Sequence, residues 1–173
     1  MKRAVFVTLV VASLALAAPA AFAGNVHYKH GSPQFTDHGL TLIDTGSLAG
    51  LGNGDLVLTL TATGNPTALC TNQGGNAAAG QNPAAVTTTG TQAIPAGAIK
   101  NGNVSYRVET DPPAQPTAKE AGCPNNNWSA TITDVAFTSA TFTVTQNGAT
   151  VLTSSCTFDP ATSDGGVTGF TCS

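Results

Sequence analysis

Leu56-Val57-Leu58-Thr59-Leu60-Thr61-Ala62-Thr63 decides the fold class of this chain. Side chains of a strand alternate between two faces, so Leu56, Leu58, Leu60 and Ala62 line one side and threonines fill most of the other. That is a half-buried strand. Its wet face is built from β-branched threonine, which favours extended backbone and adds no charge. Asn103-Val104-Ser105-Tyr106-Arg107-Val108 and Thr141-Phe142-Thr143-Val144-Thr145 repeat the pattern. Further strands are expected over 25–29, 33–37, 39–48, 66–71, 85–92, 129–137 and 150–158. No useful helical period occurs beyond residue 23, apart from one turn expected within 95–101. Nine or ten short strands with frequent Gly, Asn and Pro turns predict a two-sheet antiparallel β-sandwich of immunoglobulin-like or Greek-key type.

The clearest hairpin runs from Thr141 to Phe158 and turns at Gln146-Asn147-Gly148. A two-residue turn sets Phe142 opposite Thr153. A three-residue loop with Gly148 as a bulge sets Phe142 opposite Leu152, with Cys156 and Phe158 on the same face. The second gathers more apolar surface and is the expectation, with Cys156 pointing into the core.

The chain has 173 residues, and its start reads as an address. Met1-Lys2-Arg3 is basic, Ala4 to Ala18 is apolar, and Ala21-Phe22-Ala23 has the small-x-small form of a cleavage site. A secretory signal over 1–23 is expected, cut between Ala23 and Gly24. The apolar run is shorter than the roughly 20 residues a bilayer span needs. No later stretch is long and apolar enough to serve, so no membrane span is expected in the mature chain. Residues 24–173 then form one β-sandwich domain. Without Lys2 and Arg3 that domain keeps four basic residues against nine acidic ones, too few cations to neutralise a row of phosphates. Nucleic acid is therefore not an expected partner.

Export makes Cys70, Cys123, Cys156 and Cys172 a disulfide set. Four cysteines allow three pairings, of which Cys70–Cys123 with Cys156–Cys172 is favoured. No C-x-x-C pair occurs, which argues against zinc. Under that pairing Asn72–Ala85 and the four-proline segment Asp111–Asn127 are loops tied at one end of the molecule.

Few constellations carry chemistry. His27, His30 and His38, with Asp37 beside the last, are metal-ligand types, but His27 and His30 fall on opposite sides of an extended segment. Exposed histidines are the expectation, with no metal and no cofactor. Asn53-Gly54-Asp55 and Asp159…Asp164-Gly165-Gly166 are oxygen-rich turns of the kind calcium uses, without the twelve-residue loop pattern, and turn chemistry accounts for them. No G-x-S-x-G elbow is present. Glu109, Asp111 and Glu120 supply carboxylates without a cleft to pair them. The chain is expected not to be an enzyme, a small secreted hydrolase ranking third among the readings. Trp128 follows Asn126 and Asn127 at a loop-to-strand junction. These three are the candidate ligand contacts, with Trp128 either stacking on a sugar or covering one end of the core.

Gly46-Ser47-Leu48-Ala49-Gly50-Leu51-Gly52-Asn53-Gly54-Asp55, Leu58 to Gly64, Asn72-Gln73-Gly74-Gly75-Asn76, Gly80-Gln81-Asn82-Pro83 and Ile132 to Ala140 form a set. With these segments the chain resembles a group of small secreted all-β proteins of actinomycete-type bacteria that have no established activity. The resemblance implies export and a small β domain, and it brings no catalytic or ligand residues. The functional expectation is an exported, non-catalytic protein acting by binding or by structural presence at or beyond the cell surface. The alternative is a carbohydrate- or cell-wall-binding module, its partner a wall polysaccharide or a surface protein.

Overall fold

The computed structural model describes residues 24–173. The expected signal segment lies outside them, and only Gly24 of the Ala23–Gly24 junction is described. Eleven strands run in chain order: β1 (His27–Tyr28), β2 (Gln34–Asp37), β3 (Leu42–Ala49), β4 (Leu56–Thr71), β5 (Ala77–Ala79), β6 (Val86–Ile94), β7 (Val104–Glu109), β8 (Ser129–Gln146), β9 (Ala149–Phe158), β10 (Gly165–Gly166) and β11 (Phe170–Cys172). One 3-10 turn, Ala96–Ala98, falls within the single turn expected at 95–101. The described residues are all-β, with two antiparallel sheets.

In the first sheet β3 pairs with β7 along one edge and with β2 and β1 along the other, and β10 extends β2. In the second, β8 lies between β4 and β9. The far edge of β4 is shared by β6 and β5, and β11 closes the edge beyond β9. The sheets meet across one core. Tyr106 of β7 stacks on Phe142 of β8 with ring centroids 4.9 Å apart, and Phe35 of β2 meets Phe158 of β9 edge-on at 5.1 Å. Leu56, Leu58, Leu60 and Ala62 are all buried in that core, as the opening alternation requires. A satellite cluster of Ala68, Cys70 and Ala121 sits under Cys123, Trp128 and Ala130.

Two expected breaks are absent. β4 runs on through 64–65 and β8 through 138–140, because bulges and not turns absorb the irregularity there. Register shifts follow Thr63 and Thr67, leaving Thr138 and Thr133 as extra residues on β8. Each extra threonine bonds across the gap it makes: Thr138 Oγ1 donates to the Thr63 carbonyl (3.2 Å) and Thr133 Oγ1 to the Thr67 carbonyl (3.3 Å). Pro66 is tolerated inside β4 because it lies between the end of β6 pairing at Gly64 and the start of β5 pairing at Leu69.

The β8–β9 hairpin corrects the expected register. Gln146 pairs with Ala149, so the loop has two residues, Asn147 (φ 53°) and Gly148 (φ 80°), both left-handed as a type I′ turn demands. A bulge then places Val151 between paired positions, so Val144 faces Leu152 and Phe142 faces Ser154. Phe142 is thus not opposite Leu152. The bulge restores the parity, and Ser154, Cys156 and Phe158 share the buried face with Phe142.

Disulfides join Cys70 to Cys123 and Cys156 to Cys172. They favour an oxidising, extracellular setting. Among the described residues no helix is long and apolar enough to cross a membrane.

Candidate functional site

The outer faces of the two sheets differ in chemistry. Around β7 the first sheet carries Arg107 and Glu109, paired at 2.8 Å, with Ser105 bonded to Ser47. The second sheet carries ranks of hydroxyls. Alternation along β4, β6, β8 and β9 sends every second residue outward, and the strand pairings set those residues side by side. One row crosses β6, β4, β8 and β9 as Thr91, Thr59, Thr143 and Thr153. The next is Thr89, Thr61, Thr141 and Ser155. The third is Thr87, Thr63, Ser139 and Thr157, which Thr171 of β11 extends. Each of these side chains is exposed or half-exposed, and no charge stands among them. Neighbouring hydroxyls bond one another, Thr61 with Thr89 at 3.2 Å and Thr63 with Thr87 at 3.0 Å, which holds their rotamers. Val57 and Leu69, the large apolar side chains most exposed among the described residues (45% and 40%), lie on this same face of β4.

A second feature gathers carboxylates from three elements. Asp37 at the end of β2, Asp134 on β8 and Asp164 just before β10 each bring an oxygen within 4.8 Å of the others. Asp37 is buried; it accepts a hydrogen bond from the Gly39 amide (2.8 Å) and one from the Thr162 hydroxyl. Burial pushes its carboxyl up from the ordinary value, the two hydrogen bonds oppose that, and Asp134 and Asp164 add to the rise. This is a hard-oxygen donor set of the type calcium takes, and hydrogen bonding within the fold already holds its buried member. Asp164 comes from one of the oxygen-rich turns. The other turn serves locally, Asp55 Oδ1 accepting from the Ala96 amide at 2.8 Å.

The remaining candidates fall apart in space or into local roles. His27, His30 and His38 are exposed, and the carboxylate cluster contains none of them. His27 Nδ1 sits 2.8 Å from the Asn25 carbonyl. Glu109 is held below the usual carboxylate range by the Thr41 hydroxyl and by Arg107. Glu120 is lowered by the Thr117 amide and hydroxyl and borders a cavity of about 250 Å³ among Pro66, Pro83 and Pro116, which Glu109 and Asp111 do not line. Asn126 and Asn127 are exposed, and the Asn127 amide donates to Asn125 Oδ1 at 2.9 Å. Trp128 is half-buried against the satellite cluster under Cys70 and Cys123.

Sequence reasoning saw threonine as the wet-face residue but not the rows, since alignment across four strands depends on pairings between segments as far apart as β4 and β8. The carboxylate cluster was equally out of reach, its members lying on three separated segments. No family model matches the chain, and neither the curated proteins nor the solved structures contain a match.

Proposed function

We propose that the chain is an exported, non-catalytic β-sandwich of immunoglobulin-like or Greek-key type, acting by binding or structural presence at or beyond the cell surface. In this reading residues 1–23 are a signal peptide cleaved between Ala23 and Gly24, and residues 24–173 are the single working domain. The observation that carries the reading is the set of three hydroxyl rows on the outer face of the second sheet, among which no charge stands. The two disulfides support the compartment.

Fractionation of the producing culture tests it. The expected species starts at Gly24, lacks four hydrogens relative to the reduced chain, and is found outside the membrane. Reduced, uncleaved protein inside the cell overturns the proposal.

A second reading, a carbohydrate- or cell-wall-binding module, draws on the position of Trp128. It is half-exposed beside Asn126 and Asn127, at the end of the molecule that Cys70–Cys123 ties down. Release of wall-bound protein by soluble polysaccharide, lost in Trp128→Ala, is the outcome that reading requires.

A further inference from the structure

We infer that the threonine face of the second sheet is an ice-binding surface. The inference deepens the binding reading above and rests on it. Adjacent strands lie about 4.8 Å apart, and alternate residues repeat at about 7 Å along a strand. The three rows therefore form a two-dimensional grid. A grid of fixed points suits a partner that is itself rigid and periodic in two directions, and a flexible polymer gains little from it.

Charge and side-chain type narrow the partner. No ionised group stands in the rows, whereas the outer face of the other sheet in the same molecule carries Arg107 and Glu109. The matching surface is therefore neutral. Hydroxyls both donate and accept, so it must do the same. Ice and crystalline neutral polysaccharide meet both conditions. Sugar platforms on flat sheets rely on aromatic rings, and the rows contain none. What they contain is threonine at all but two positions, Ser139 and Ser155. Each threonine sets a methyl beside a hydroxyl on a stiff χ1. Methyl groups restrict the orientation of first-shell water, and the hydroxyls fix where that ordered water sits. Val57 extends the methyl-bearing surface beside the first row, between Ala93 of β6 and Thr145 of β8. An ordered-water solid is the partner this chemistry fits.

The test uses the oxidised protein purified from an exporting host, so its result is independent of where the producing cell sends the chain. Protein is partitioned into slowly grown polycrystalline ice, and recrystallisation of fine ice grains is followed in parallel. The wild type is expected to enrich in the ice and to arrest grain growth. Thr61→Lys/Thr141→Lys puts two charges in the middle row and is expected to lose at least tenfold in both readouts. Ser105→Lys, on the other sheet's outer face, is expected to change neither. Melting curves establish that the variants fold, and Thr141→Lys alone, with at least a threefold loss expected, replaces the double variant where that fails to fold. Exclusion of the wild type from ice overturns the inference, as does full retention by the charged variant. Retention on chitin or cellulose powder in place of ice, abolished by the same substitutions, also overturns it and reassigns the face to a polysaccharide. So does a dimer that these substitutions dissociate.

Discussion

Asp44 is fully buried between the sheets, and the Tyr106 hydroxyl stands 3.2 Å from both of its carboxylate oxygens. The Gln34 backbone is the other polar neighbour that shifts it, and neither neighbour is a cation. Tyr28 Oη is buried too, and among the described residues none meets it in full hydrogen-bond geometry, Ser154 and Tyr106 being its polar neighbours. Burial pushes the Asp44 carboxyl from 3.8 up to about 7 against the pull of these hydrogen bonds.

A raised carboxyl gives a stability contribution that is fully present below the unfolded value, near pH 4, and is lost as pH rises through about 7. In that window the folded chain holds a proton the unfolded chain has released. Urea denaturation should therefore show the protein more stable at pH 4 than at pH 7.5, by roughly 3–4 kcal/mol from this group. Asp44→Asn, neutral throughout, should flatten the profile. A wild-type profile already flat across the window would refute the assignment.

Cys172→Ser opens the 16-residue loop closed by the second disulfide and leaves the Cys156 thiol in the core. The chain-entropy model puts the loss at about 3 kcal/mol. Unfolding curves should place the midpoint well below that of the wild type. Cys156→Ser should lower the midpoint too, since it breaks the same bond and sets a hydroxyl at a buried position where the Ser154 hydroxyl is a polar neighbour.

Gly90→Ala should be among the most damaging small substitutions. A Cβ there overlaps the Glu109 carbonyl oxygen, a backbone atom with nowhere to move, where β6 draws up against β7. Such overpacking costs about 3 kcal/mol or more. Thermal melts of Gly90→Ala and of Gly97→Ala, which meets open space, should differ sharply.

Gln146 ties down the loop that enters β4. Its buried amide accepts from the Gly52 amide (2.9 Å) and donates to the Gly52 and Gly54 carbonyls (2.9 and 3.0 Å). Gln146→Leu strands those groups at a cost of about 1–3 kcal/mol. Hydrogen exchange should quicken over residues 50–55 while β4 beyond Leu58 keeps its protection.

The alternation in Leu56–Thr63 was legible because one face is wholly apolar, and the parity of Cys156 and Phe158 followed from Phe142. The hairpin register was not, because the two-residue turn at Asn147-Gly148 and the bulge at Val151 shift it in steps that apolar counting cannot separate. Gly64-Asn65-Pro66 reads locally as a break, and only the absence of a second neighbour along that stretch lets the strand continue. The short strands Ala77–Ala79, Gly165–Gly166 and Phe170–Cys172 carry no pattern of their own. Partners already in place define them.

The three-residue β11, bonded through Cys172 to the strand it pairs with, bears on solubility. Sheet edges are where β proteins recruit one another, and β11 covers the last three residues of β9, Cys156–Phe158. Opening Cys156–Cys172 frees β11 to peel away and adds Cys156–Phe158 to the part of β9 that has β8 as its one strand neighbour. Loss of this one covalent tie therefore lengthens the stretch of β9 open to pairing by another strand.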